Sequence, residues 1–363
     1  MLLEVRELEL CYRLRAGRVR AVDRVSFTLD EGRSLGLVGE SGCGKTSLAR
    51  ALLRLLPPTG EIAGGQILFQ GRDLVGLPEA EMRQVRWKEV ALVPQSAMNA
   101  LDPVYRVSAQ IIEAIRTHER RPRRQALARA RQLFERLGLD GKRLSDFPHQ
   151  LSGGMKQRAT IAMALALNPR LLIADEPTTA LDVIVQDHIL RELKSLQAEL
   201  GLALLFISHD ISVISETCEA VGVMYAGRLV EYGRAADVFT RPHHPYTMGL
   251  YNAFPSLEED RPPVSIPGFP PTLLHIPPGC RFAPRCPFAQ PRCDAEDPTP
   301  REAVPGHWVA CHRAGEAETL RLLARDPTVW QQTRAAQQIA ELPEGGEPPP
   351  VGERVGEVLG GIG

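Results

Sequence analysis

Short apolar runs alternate with amphipathic stretches over residues 1 to about 240. "SLGLVG" (34–39), "EVALVPQ" (89–95), "LLIAD" (171–175) and "ALLFISH" (203–209) read as buried strands with functional groups at their C-terminal ends. In open α/β sheets that edge is where ligands collect. Between the second and third runs a helical insert is expected over roughly 106–165, its clearest helix carrying Leu127, Ala130, Phe134 and Leu137 on one stripe. The alternation predicts an α/β domain over 1–240. From 241 to about 315 the chain turns proline-rich and is expected to be mostly irregular. A tail follows over 316–363, and its acidic, Gly/Pro-rich end "ELPEGGEPPPVGERVGEVLGGIG" (341–363) is expected to be disordered.

Composition narrows the function classes. Of 363 residues 44% are hydrophobic and 24% charged, ordinary globular values. A balance of 43 basic against 44 acidic residues argues against nucleic acid as a partner and against attachment to membranes by bulk charge. The basic stretch "RTHERRPRRQALARAR" (116–131) reads as a solvated helix face. No run approaches the ~18 apolar residues of a membrane span. "MLLEVRELEL" lacks a signal-peptide core, so a cytosolic chain is expected, with any membrane role supplied by partner chains.

The first chemical signature is "GESGCGKT", which fits G-x-x-x-x-G-K-S/T with Gly39, Gly44, Lys45 and Thr46 at the defining positions. Glycines let the backbone wrap a phosphate with its N–H groups inward. Lys45 reaches the β- and γ-phosphates, and the Thr46 hydroxyl can ligate Mg²⁺. Ser41 and Gly42 inside the loop and Ser47 just after it belong to the same candidate nucleotide site. An apolar strand precedes the loop, and "SLARALLRLL" opens a helix whose N-terminus favours anions. "LLIADEP" supplies the acidic partners: Asp175 to hold Mg²⁺ through water, and Glu176 to polarise the attacking water. "LSGGMKQR" (151–158) sets Ser152, Gly153 and Gly154 before a helix, a second anion-type helix start for which one chain has no second phosphate.

The order of these three motifs resembles the ATP-binding subunits of ABC transporters, over about residues 3–240. The resemblance implies a P-loop NTPase fold with a helical subdomain, ATP and Mg²⁺ as cofactors, and head-to-tail pairing in which the signature of one ATPase subunit meets the γ-phosphate held by another. It also implies that Tyr12 stacks on adenine, that Gln95 touches Mg²⁺ and senses the membrane partner, that Asp182 in "TALD" belongs to the D-loop, and that His209 contacts the γ-phosphate. Cys43 stands where a serine is common, and a thiol there is expected to be sensitive to alkylation.

Four of the seven cysteines crowd into 280–311 as C-x5-C-x6-C-x17-C: Cys280, Cys286, Cys293 and Cys311. In a reducing compartment a metal site is the natural suspect rather than disulfides. The spacing is wider than zinc knuckles and leaves zinc, an iron–sulfur cluster or buried free thiols open. "HPYTMGL", "IPGFPP", "GCRFAPRCP", "ACH" and "QSAMNALDPVYRVSAQI" resemble the peptide-transporter branch of ABC ATPases, which imports dipeptides, oligopeptides or nickel. That likeness implies a C-terminal extension holding a 4Fe–4S cluster on the four cysteines, with a structural role.

It further implies an ATPase at the cytoplasmic face of the cell membrane, peripheral to two permease subunits. A second ATPase subunit, expected to be a paralogue, and an extracytoplasmic solute-binding protein complete the set. The alternative is a soluble, non-transport ABC ATPase. Ribosome-acting members carry two cassettes in one chain, and repair ATPases separate Walker A from signature by long coiled coil. Here there is one cassette, and 112 residues separate Gly39 from Leu151.

Overall fold

A computed structural model describes residues 1–95, 100–178, 182–253 and 262–340. In chain order its strands are β1 (Leu3–Leu14), β2 (Gly17–Leu29), β3 (Ser34–Val38), β4 (Gly60–Phe69), β5 (Arg72–Asp73), β6 (Val90–Val93), β7 (Leu171–Asp175), β8 (Ala203–Ile207), β9 (Ala220–Tyr225), β10 (Arg228–Arg234), β11 (Arg301–Val304) and β12 (His307–Val309). The four apolar runs form β3, β6, β7 and β8, and the fold is the α/β arrangement expected. Contacts divide the chain into two compact units: residues 1–4, 28–35 and 67–208, and residues 5–27, 36–66 and those from 209 onward.

In the first unit β6, β7 and β8 are parallel neighbours, with Val90 opposite Leu171 and Leu171 opposite Ala203. Every residue of β7 and β8 is buried, which is why both read as continuous apolar runs rather than alternating ones. The helices Val107–His118, Arg123–Arg136 and Gly153–Ala164 pack on one another. Of the stripe expected along the Arg123–Arg136 helix, Ala130, Phe134 and Leu137 are fully buried, joined by Ala126 and Leu133, while Leu127 lies at the margin. Its arginines fall mainly on the other face.

In the second unit β9, β10, β12 and β11 are successive antiparallel neighbours. Glu231 lies opposite Val309, and the Ala310 N–H donates to the Val230 carbonyl at 2.8 Å. The stretch from 241 to 315 is mostly irregular, as expected, but the His307–Val309 strand within it extends a ladder begun at residue 220. Three residues are too few for periodicity to announce them. Glu231, 1% exposed, fixes this region. Its carboxylate accepts the backbone N–H groups of His243 (2.6 Å) and His244 (3.0 Å), and its Oε1 lies 2.7 Å from His307 Nε2.

Residues 316–340 are also ordered, in the helices Ala317–Leu323, Pro327–Gln331 and Arg334–Ala340. Trp330 is buried, its Nε1–H donating to the Ala324 carbonyl at 3.0 Å, the same oxygen that accepts Asn252 Nδ2–H at 3.1 Å. The segment 341–363, expected to be disordered, lies outside the described residues. Within the second unit the phosphate loop and the chain beyond residue 240 share polar contacts.

Candidate functional site

The second unit carries the phosphate loop. Gly39 and Gly44 have φ of 150° and 107°, and a Cβ at either would stand 2.1 Å from the Met224 carbonyl oxygen or 2.2 Å from that of Ala21. The loop thus needs glycine both for its backbone conformation and for close backbone approach. Gly44 caps the helix Lys45–Leu52, whose first turn begins the anion-attracting end. Lys45 is buried, and its Nζ donates to the carbonyls of Gly39 (2.6 Å) and Glu40 (3.1 Å), which holds the ammonium against the loop. Ser41 and Gly42 are exposed at the loop's crest, while Thr46 is half-buried.

Tyr12 is 1% exposed, and its hydroxyl donates to Ser47 Oγ at 3.2 Å. Stacking on a base, as the resemblance implies, would need the ring to become exposed. Cys43 is a clearer correction. It is 1% exposed, its Sγ lies 3.6 Å from Lys45 Nζ, and burial pushes the thiol pKa up despite the ammonium. A neutral, covered thiol is inert, so the expected alkylation sensitivity does not fit. His209, in the same unit, is exposed just beyond the end of β8.

The first unit carries the carboxylates. Asp175 ends β7 and is 3% exposed. Glu176 follows with φ 48°, a left-handed conformation that costs a non-glycine residue ~1–2 kcal/mol. The backbone is held there by its N–H, which donates to the Ile207 carbonyl at 2.9 Å. Glu176 is one of eight non-glycine residues with a left-handed backbone among the described residues, and the one that follows a buried aspartate at a strand end. Gln95 Nε2–H donates to Glu176 Oε2 at 3.0 Å, which joins two predicted groups 81 positions apart.

In the signature, exposed Ser152 caps the helix Gly153–Ala164, its Oγ accepting the Met155 N–H at 3.4 Å. Gly154 has a packing reason: a Cβ there would stand 2.8 Å from Val185 Cγ1. Asp182 caps Val183–Leu200 by accepting the Val185 N–H at 2.9 Å, and Val183 and Ile184 beside it are 80% and 82% exposed.

The four C-terminal cysteines are free and line one recess in the second unit, with Phe282 and Phe288 among its walls. The Cys280 N–H donates to the Cys293 carbonyl at 2.7 Å, and a Cβ at Gly279 would lie 2.3 Å from that same oxygen. Cys293 Sγ accepts the Gln290 N–H at 3.5 Å, and Cys311 Sγ accepts the Arg313 N–H at 3.4 Å. Burial pushes the Cys280 thiol up to about 12 and Cys311 up to about 11, and raises Cys286 well above the ordinary thiol value. Among the described residues, the set of three metal-capable side chains with ligand atoms within 4.8 Å of one another is Glu231, His243 and His307, so no three of the cysteine sulfurs are that close.

Three residues escaped the sequence reading. Glu40, inside the phosphate loop, accepts at Oε2 from Arg285 Nη1 (2.9 Å), and its backbone N–H donates to the Tyr246 hydroxyl at 2.9 Å. Arg285 and Tyr246 lie in the quoted runs "APRC" and "HPYT", but nothing local there announces a partner more than 200 positions upstream.

Residues 22–179 match the family described as ABC transporter, and residues 230–293 match the oligopeptide/dipeptide transporter C-terminal region. The chain is 46% identical over 325 residues to the probable peptide ABC transporter ATP-binding protein y4tR of Sinorhizobium fredii, covering 88% of this chain and 97% of that one. The chain belongs to the ABC transporter ATP-binding proteins. The oligopeptide transport ATP-binding protein OppD of Escherichia coli is 43% identical, over 87% of this chain and 94% of its own. The dipeptide transport ATP-binding protein DppD of Caldanaerobacter subterraneus subsp. tengcongensis is 40% identical, over 88% and 99%. Among solved structures, the ABC transporter cassette MJ0796 superposes with a TM-score of 0.59 at 24% identity, covering 64% of this chain and 99% of that one, a likeness of fold. As a member of this family the chain is an ATPase. No helix among the described residues is long and apolar enough to cross a membrane.

Proposed function

We propose that this chain is the ATP-hydrolysing subunit of a membrane importer for peptides, at the cytoplasmic face, working with two permease subunits, a second and paralogous ATPase subunit, and an extracytoplasmic solute-binding protein. The observation that carries the reading is likeness to peptide-transporter ATPases along nearly the whole chain, the C-terminal region included. The soluble, non-transport alternative is not favoured by that likeness. Lys45 and the loop N–H groups between Gly39 and Ser47 bind the phosphates, and Thr46, Asp175 and Gln95 hold Mg²⁺, which neutralises phosphate charge. Glu176 orients and polarises the attacking water, and His209 contacts the γ-phosphate. Ser152, Gly153 and Gly154, with Asp182, act on the nucleotide of the second subunit. Exposure of Ser152 and of the helix start at Asp182–Ile184 supports that reading. Co-expression with peptide-permease genes from the same genome tests it: the expected outcome is a co-purifying complex whose ATP hydrolysis rises with peptide-loaded binding protein. A chain that never associates with permeases would refute the transport role.

We further propose that Cys280, Cys286, Cys293 and Cys311 hold a 4Fe–4S cluster. Four free cysteines lining one recess, with N–H donors to two of the sulfurs, support a site built for a thiolate-bound group. The extension also buries Phe282, Phe288, Leu320 and Trp330, so the cysteine site adds to an apolar core rather than replacing one. Anaerobically purified protein should be brown, with about four irons and acid-labile sulfide per chain. Cys286→Ser should open the chain to protease locally around 279–313. One zinc per chain without sulfide would refute the cluster.

A further inference from the structure

We propose that Arg285 and Tyr246 are positioning residues for the phosphate loop, so that the C-terminal extension sets the affinity of the chain for ATP. The inference rests on the nucleotide-site reading above. Glu40 is the second residue of the loop, and each of its polar groups is taken. The carboxylate accepts from Arg285, the N–H donates to the Tyr246 hydroxyl, and the carbonyl accepts from Lys45 Nζ. Two of those three partners come from beyond residue 240.

The anchors are rigid. Arg285 is 3% exposed and Tyr246 is fully buried. The guanidinium is also fixed by Nε–H to the Pro267 carbonyl (2.8 Å), Nη2–H to the Ile266 carbonyl (3.3 Å) and Nη1–H to the Tyr225 hydroxyl (3.3 Å). Tyr225 and Tyr246 pack ring to ring at 4.6 Å, and Phe282 abuts both. Arg285 thus reaches Glu40 with little freedom left to lose, and its pair with Glu40 is a charge-assisted bond in a covered setting.

The loop is poor in anchors of its own. Gly39, Gly42 and Gly44 have no side chains, Ser41 is exposed, and a Cβ at Gly42 would meet nothing within 4 Å. A glycine-rich loop left to itself samples many conformations, and ordering it on phosphate would be charged against binding. Holding Glu40 by side chain and by backbone pre-orders the cradle before nucleotide arrives. A bond made equally before and after the chemical step alters affinity and leaves turnover alone. A merely structural role for Arg285 predicts lower protein stability with unchanged affinity per folded chain.

The experiment titrates the full-length chain, with Mg²⁺, against a fluorescent ribose-labelled ATP analogue. Arg285→Gln, Glu40→Gln and Tyr246→Phe should each weaken binding roughly tenfold, the loss of one charge-assisted or buried bond. The Arg285→Gln/Glu40→Gln double variant should be no weaker than either single, and Arg285→Lys should recover part of the loss. In a complex that hydrolyses ATP, KM should rise with kcat within twofold of wild type. Glu40→Gln and Tyr246→Phe remove little volume, so they carry the test should Arg285→Gln fold poorly. Affinity within twofold of wild type in these two variants would overturn the proposal, as would a fully additive loss in the double variant. Lys45→Ala in the same titration separates the two readings. Binding lost there but intact in Glu40→Gln sinks the positioning role alone. Binding intact in Lys45→Ala sinks the nucleotide site and the positioning role together.

Discussion

Asp23→Ala should destabilise the second unit more than an ordinary surface charge could. The Asp23 side chain is 2% exposed, and it accepts from Arg281 Nη2 and from Arg20 Nη1 at 3.3 Å, with Arg228 Nε at 3.8 Å. Arg281 is itself 5% exposed; burial lowers its pKa, and Asp23 is the foremost group opposing that. Removing the carboxylate leaves a buried guanidinium with the Ala226 carbonyl as its remaining hydrogen-bond acceptor here and Asp297 as a nearby charge. Breaking one side of a buried pair costs ~3–5 kcal/mol, and Asp297 argues for the lower end. With a urea slope of ~1–3 kcal/mol/M, the unfolding midpoint should fall by about 1–3 M. The assay is urea unfolding followed by tryptophan fluorescence in a Trp87→Phe background, which leaves Trp308 and Trp330 of the second unit as reporters. Adding salt should barely change the wild-type midpoint, since a buried pair is little screened. The double variant Asp23→Leu/Arg281→Met should recover most of the loss. A midpoint shift no larger than that of an exposed pair, or one abolished by salt, would refute the reasoning.

Glu176→Gln should retain ATP binding and lower hydrolysis by roughly 10²–10⁴-fold, measured as nucleotide affinity beside single-turnover phosphate release; wild-type turnover would remove Glu176 from the water-activating role. Gly44→Ala should abolish ATP binding and lower the melting temperature, because φ of 107° alone costs ~1–3 kcal/mol before the 2.2 Å approach to the Ala21 carbonyl is relieved. Stability should fall on acidification through His244, whose Nδ1 accepts the Tyr246 N–H at 3.0 Å and whose pKa burial lowers from 6.5 to about 4. Only the unfolded chain takes up that proton between those values, so the stabilisation is complete above pH 6.5 and about 2 kcal/mol of it is gone at pH 5, a slope that His244→Gln should flatten in urea midpoints. Native protein should resist maleimide at Cys43 until urea opens the fold, as peptide mapping would show.

Phosphate chemistry is readable in a single sequence because it demands particular residue types at fixed spacing, and the strands that are buried on both faces, β7 and β8, are plain for a similar reason. β1 was not, since its burial pattern is broken at Arg6 and Glu7, where Glu7 adopts φ 44° and interrupts the alternation. Nor was the hairpin at 301–309, whose strands are shorter than any periodicity. Long-range polar pairs leave no local trace at all. Asp23 and Arg281 stand 258 positions apart, and each alone looks like a surface charge. The burial that makes them matter exists only after folding.

Those pairs also explain why a proline-rich extension is tied to its unit through charge rather than through apolar surface alone. Asp23 with Arg281 and Glu40 with Arg285 both join an arginine from the cysteine-bearing segment to an acidic residue of the first 66 positions. Glu231 binds the segment leading into the helix Pro245–Asn252 and the His307 strand in the same manner. Buried charge pairs contribute little net stability compared with apolar side chains of equal volume, yet they tolerate no sliding, because a shift of an ångström or two leaves a charge unpaired in low dielectric. Apolar packing would hold the extension on as firmly and position it less narrowly. An extension whose arginine meets a residue inside the phosphate loop has a use for that narrower placement, since the geometry of the cradle, and not merely the adhesion of the segment, depends on it.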